Sequence, residues 1–155
     1  MATLRQRMYI LVPYNLSSIQ KSIQALHAVV RYQLKYGRSK EYKQWATKDE
    51  TVIILDGGTS NKKTGSLDNL LKDLKNRDYN VEAFYEPDAN DMLTGVAILA
   101  DERIWDQDNY PNFVNENKEV YNYKTTKEYL SWVKDIGGEK IVYLRDVLNY
   151  KKLAN

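Results

Sequence analysis

Short apolar runs alternate along this chain with helix-length segments whose apolar residues recur every three or four positions, and that alternation limits what the chain can fold into. Met8-Tyr-Ile-Leu-Val-Pro13 is a continuous apolar run ending at proline, the pattern of a buried strand whose last residue leaves the ladder. A helix is predicted to follow directly, because Ser17 can cap a first turn and Gln20 stands at capping-box spacing. Ile19, Ile23, Leu26, Val30 and Leu34 then form one apolar stripe, the face an amphipathic helix ordinarily lays on a core, and Gly37 ends the helix. A short basic segment, 39–45, reads as a second helical piece. Residues 50–55 read as a second buried strand stopped by Gly57 and Gly58. Leu67, Leu70, Leu71 and Leu74 mark another amphipathic helix, 81–85 a third strand and 93–100 a fourth. Strands separated by helices at this spacing predict an α/β three-layer sandwich: a four-stranded mixed sheet with helices on both faces and right-handed crossovers.

Beyond residue 101 the character changes. Residues 105–123 are rich in Asn, Asp and Tyr, contain Pro111 and show no sustained period, so an ordered irregular arm is expected there. Residues 126–136 read as a helix, Gly137 and Gly138 break it, and 141–148 fit either a short strand or a last helix. The expected organisation is an α/β domain over 1–101 with an irregular C-terminal extension, 102–155, packed on the same domain. At 155 residues the chain is long enough to bury a core and too short for two independent ones. With no cysteine and one histidine it cannot build a disulfide framework, an iron–sulfur site or a Cys/His zinc site, which leaves only carboxylate-bound hard metals open. The apolar runs are far shorter than a membrane span or a signal-peptide core, so a cytoplasmic protein with no membrane partner is expected.

Charge is unevenly distributed. Residues 1–46 hold eight lysines and arginines against one acid, and residues 86–122 hold two against nine. The first segment can form a basic surface that attracts phosphates; the second can equally fold across and neutralise it. On the first predicted helix, Gln20, Gln24, His27, Arg31 and Lys35 fall in one sector beside the apolar stripe, a polar ladder containing the only histidine. A solvated helix face is its plain reading. Residues 86–94, between two predicted strands, carry Asp88 and Thr94 where polar side chains at strand ends can project into a common cleft. The plain reading of that loop is a turn built on Pro87 and Asn90 with Asp88 as a local cap. The glycine-containing segment 57–64 lacks the spacing of a phosphate loop, no nucleophile-elbow motif occurs, and Asp88, Asn90 and Asp91 do not complete a calcium loop.

Taken together, the strand 8–13, the helix segment 16–28 with Gln24, His27 and Ala28, and the run Glu86-Pro-Asp88 followed by Leu93-Thr94-Gly-Val-Ala97 resemble the type II peptidyl-tRNA hydrolases over roughly residues 7–101. That family carries K-x-x-x-Q-x-x-H-A on its first helix and an Asp-Ala-Gly loop before a Thr-containing strand. Here Gln20 stands at the lysine position, with Lys21 one residue along, and Asn90 stands at the glycine of a shortened loop. In these departures, and in its tail, the chain resembles a divergent branch common in bacteriophages, which implies a host cytoplasm. The resemblance implies hydrolysis of the ester joining a peptide to the 3′ ribose of tRNA. It implies a site built from His27, Asp88, Gln24, Thr94 and Gln20, acceptor-stem phosphates held by Lys21, Arg31 and Lys35, no metal or cofactor, and a homodimer. Two other readings stand beside it. One is an inactive binder of an RNA end or another phosphate-bearing, nucleotide-like ligand. The other is an interaction protein whose tail, with Tyr110, Tyr121, Tyr123 and Tyr129, docks on a host factor.

Overall fold

A computed structural model describes residues 3–116, 118–119 and 121–155. It is an α/β structure with one open, mixed four-stranded sheet and six α-helices among the described residues. The strands are β1 (Gln6–Val12), β2 (Val52–Asp56), β3 (Val81–Glu86) and β4 (Met92–Asp101), in the spatial order β2-β1-β4-β3. β1 pairs parallel with β2, Met8 opposite Val52, and β3 pairs antiparallel with β4. β1 lies inside the sheet, which explains its near-continuous apolar sequence: Met8, Ile10, Leu11 and Val12 are fully buried.

The chain falls into two compact units, 1–100 with 151–155, and 101–150. The first holds most of the sheet together with α1 (Ser18–Tyr36), α2 (Lys40–Gln44), a π-helical turn (Trp45–Asp49) and α3 (Ser66–Asn76). Ser17 Oγ accepts from the Gln20 N–H and caps α1, and Ser39 Oγ caps α2 in the same way. One core gathers Met8, Ile10 and Val12 of β1 with Ala25, Ala28 and Tyr32 of α1, then Tyr42, Trp45, Phe84 and Ala97. On α3, Leu67, Leu71 and Leu74 are buried, and Leu67 and Leu11 both crowd Gly57. In the polar loop between β2 and α3, Asn61 Oδ1 accepts from the N–H groups of Lys63, Thr64 and Gly65.

α1 differs from the sequence expectation in the face it buries. Ala25, Ala28 and Tyr32 meet the sheet, whereas Ile19, Ile23, Leu26, Val30 and Leu34 are exposed. At 3.6 residues per turn these two sets lie on opposite sides of the helix. The reason is close approach: a Cβ on Gly95 of β4 would lie 2.8 Å from the Gln24 carbonyl oxygen and 2.9 Å from Ala28 Cβ. Only small side chains fit between backbones that near.

The second unit, expected as an irregular extension, carries α4 (Glu102–Trp105), α5 (Lys127–Ile136) and α6 (Glu139–Asn149). Thr126 Oγ1 caps α5, and Gly137 and Gly138, at φ 121° and 106°, turn the chain into α6 through backbone that other residues rarely adopt. Residues 141–148 therefore take the helical alternative. The described part of 106–122 contains no helix or strand, while Asn117 and Val120 of the expected arm lie outside the described residues. Arg145 is buried and donates to the Arg103 carbonyl and to Asn112 Oδ1, and burial pushes its guanidinium below its ordinary range. Phe113, Tyr123, Tyr129 and Trp132 pack ring against ring, so Tyr123 and Tyr129 are engaged within their own unit, while Tyr121 is fully exposed. No helix among the described residues is long and apolar enough to cross a membrane.

Candidate functional site

Two of the polar residues singled out in the sequence, Gln24 and Thr94, meet where α1 crosses β3 and the start of β4. The meeting depends on a bulge. Phe84 pairs with Gly95 and Tyr85 with Leu93, so Thr94 is the extra residue on β4 with no partner opposite it. A bulge re-aims side chains, and here the Thr94 hydroxyl donates to Gln24 Oε1 of α1 at 2.6 Å. Gln24 and Thr94 are each only 3% exposed. The Gln24 amide donates in turn to Glu86 Oε2 at 2.7 Å, at the end of β3. Glu86 Oε1 faces the Asp88 N–H at 3.4 Å, and the Glu86 carbonyl accepts from the Asp91 N–H at 3.0 Å, closing the turn. Glu86 thus ties α1 to the loop that carries Asp88.

Glu86 has no assigned role in the sequence reading. It stands in the quoted Glu-Pro-Asp run, but nothing local distinguishes it from an ordinary strand-end acid. In the loop the expected cap is reversed: Glu86 caps the 3-10 turn Pro87–Ala89, and Asp88 supplies the N–H. Asn90, which stands at the glycine position of the resembled family, has φ 54° and ψ 43°. That left-handed conformation is one that glycine favours and asparagine tolerates best among other residues, so the exchange keeps the turn.

The remaining candidates occupy different environments. His27 is exposed and stacks on Phe84, with ring centroids 4.3 Å apart and planes 16° from parallel. Arg31, one turn on, sets its guanidinium carbon 5.9 Å from the centroid of the same Phe84 ring. His27, Phe84 and Arg31 form a compact platform with a cationic rim. Asp88 and Gln20 are exposed, and Gln20 is held only through its backbone by Ser17.

Lys21 and Lys35 are each already engaged, the first by burial and the second by an ion pair. Lys21 is buried and its ammonium donates to the Asn155 carbonyl oxygen at 3.2 Å. Lys35 pairs with Glu82 of β3 at 3.1 Å, and this hydrogen-bonded ion pair raises the lysine above its ordinary pKa. Of the expected phosphate ligands Arg31 and Lys35 are exposed, and Lys35 shares its charge with Glu82.

The chemistry available is therefore divided. Exposed His27 can accept a proton, Arg31 can meet a phosphate or a developing negative charge, and Asp88 can orient a water or a hydroxyl. Gln24 and Thr94 position the framework beneath them. Among the described residues no group of three or more histidine or acidic side chains is placed to hold a metal ion. No family model, no curated protein and no solved structure matches this chain.

Proposed function

We propose that this protein is a peptidyl-tRNA hydrolase-like enzyme, cleaving the ester between a peptide and the 3′ ribose of tRNA in the cytoplasm of the cell that makes it. The observation that carries the reading is the Glu86 bridge, which moors the Asp88 loop to α1 beside the exposed His27. On this reading a water adds to the ester carbonyl carbon while His27 takes its proton. The resulting tetrahedral oxyanion is stabilised by the Arg31 charge, and its collapse breaks the bond to the ribose oxygen, which recovers the proton from the imidazolium. Asp88 orients the water, and the exposed His27 ring, backed by the buried Phe84, offers a stacking surface to the terminal base.

A second reading, capture of an RNA end without hydrolysis, is favoured by one specific feature. Gln24 and Thr94 are buried, with the Thr94 hydroxyl given to Gln24 and a Gln24 N–H given to Glu86, so neither presents an exposed donor to an oxyanion. Release of peptide from an N-blocked aminoacyl-tRNA separates the two. Under the enzyme reading, wild type releases peptide and His27→Ala and Asp88→Asn each slow release by about 100-fold, with tRNA binding little changed. Salt-sensitive tRNA binding with no release, in wild type and in Gln20→Lys, replaces the enzyme by the binder. Neither release nor binding at low salt removes both.

A further inference from the structure

On the face of the sheet away from α1, the loop before α3, α3 itself and the end of β3 border a hollow of about 210 Å³. Successive strand residues point to opposite faces, so Tyr85 and its cross-strand partner Leu93 line this hollow while Phe84 meets His27 on the other side. The lining holds four lysines, Lys62, Lys63, Lys72 and Lys75, against one acid, Asp68. We propose that the hollow binds a nucleoside triphosphate, with the phosphates among the lysines and the base on the Tyr85 ring.

An ion pair is the ordinary fate of such lysines. Asp68 stands four residues before Lys72, the spacing at which acids and bases pair on a helix. Here Asp68 Oδ2 instead accepts from the Asn61 N–H at 2.9 Å, and Thr59 and Ser66 exchange bonds between side chain and backbone. These bonds fasten the loop to the first turn of α3, which holds Lys62 and Lys63 on the same hollow as Lys72 and Lys75. Among the described residues, none of the four ammonium groups is hydrogen-bonded or ion-paired. Like charges gathered round one concavity repel, and an anion bound there relieves the repulsion. Lys62 also adopts φ 75°, a left-handed conformation that glycine takes freely, so its ammonium is supplied at a conformational cost.

The lining selects the ligand. A single phosphate needs fewer ammonium groups, whereas a polyphosphate chain spreads its charge over a length that four separate lysines can share. Tyr85 is 46% exposed and stands beside the buried Leu71 and Leu93, an apolar and aromatic surface on which any base can stack. Burial, with the charges of Asp68 and Glu82, holds the Tyr85 phenol above its ordinary pKa, so the ring stays neutral. Segment 57–64 is not a phosphate loop, and the grip is made by side chains. Neither His27 nor Arg31 lines the hollow, so the site stands apart from the hydrolase reading.

Isothermal titration calorimetry of the full chain at low salt, without added metal, is expected to show saturable binding of ATP. Tripolyphosphate is expected to bind about 10-fold more weakly, and adenosine more weakly still. Replacing both Lys72→Gln and Lys75→Gln removes two charge-assisted contacts and is expected to weaken ATP binding about 100-fold. Tyr85→Leu keeps the apolar bulk and is expected to abolish the preference for ATP over tripolyphosphate. Lys62→Gly is expected to weaken ATP binding about 10-fold while the thermal midpoint of the free protein stays or rises, a pattern that a purely structural role for Lys62 would not give. Arg31→Gln, on the other face, leaves ATP binding unchanged. No ATP binding at low salt, or binding indifferent to the paired lysine substitutions, overturns the proposal. Equal affinity of the wild type for ATP and tripolyphosphate, or loss of ATP binding in Arg31→Gln, overturns it as well. A short single-stranded RNA held by these lysines where ATP is not replaces the nucleotide by a nucleic-acid strand.

Discussion

Thr94 shows how much a single residue of register decides. Its hydroxyl reaches Gln24 only because β4 carries one residue more than β3 at that point. Thr94→Val keeps the shape and removes the donor, leaving Gln24 Oε1 buried without its partner, which is expected to cost about 1–3 kcal/mol in the free energy of unfolding. Thr94→Ser keeps the hydroxyl and is expected to cost less; urea denaturation of the three proteins checks the order. Gln24 and Thr94 were legible as candidates from residue type and spacing, but their mutual bond was not, since a bulge leaves no local signature in a run such as Leu93-Thr94-Gly95. Lys21 was illegible for a related reason. Lysine is nearly always exposed, and its burial here depends on Asn155, which lies at the far end of the sequence.

At the scale of elements, α1 separates what a pattern can say from what it cannot. Helical periodicity reveals that one side is apolar and the other is not, and the position and both ends of the helix follow from it. It does not say which side meets the sheet. Ala25 and Ala28 won that contact through their size, because Gly95 lets the backbones approach. Ala28→Leu is therefore expected to destabilise the fold by about 1–3 kcal/mol through overpacking. Leu34→Ala, on the large-residue side, is expected to change the stability of the dilute monomer by about 0.5 kcal/mol or less. Denaturation midpoints measured at low protein concentration distinguish the two. The strands were more readable: all four lie within a few residues of their expected positions, because each is short, apolar and bounded by glycine, proline or a polar turn.

Across the whole molecule, buried tyrosines couple stability to alkaline pH. Burial raises the phenols of Tyr9 and Tyr32 above their ordinary value near 10. The folded state therefore holds these protons more tightly than the unfolded state, so their contribution is complete below pH 10 and is lost as the pH climbs further. The denaturation midpoint is expected to fall over that range, and to fall less steeply in Tyr32→Phe. The α/β class was readable at this scale from the alternation of elements, whereas the return of the last residues to the sheet was not. Leu153 bridges to Leu55 on the outer edge of β2, with the Asp56 N–H donating to the Lys152 carbonyl and the Ala154 N–H to the Ile54 carbonyl, each at 2.9 Å. That edge is covered by residues separated from Ala100 by the whole of 101–150. On a ribosome, the sheet strands therefore emerge well before the segment that covers them, and synthesis of the intervening residues alone takes roughly 2–10 seconds. For that interval the nascent chain displays an open strand edge to its neighbours on the same message, so crowding on a polysome, rather than the stability of the finished protein, sets its risk of misassembly.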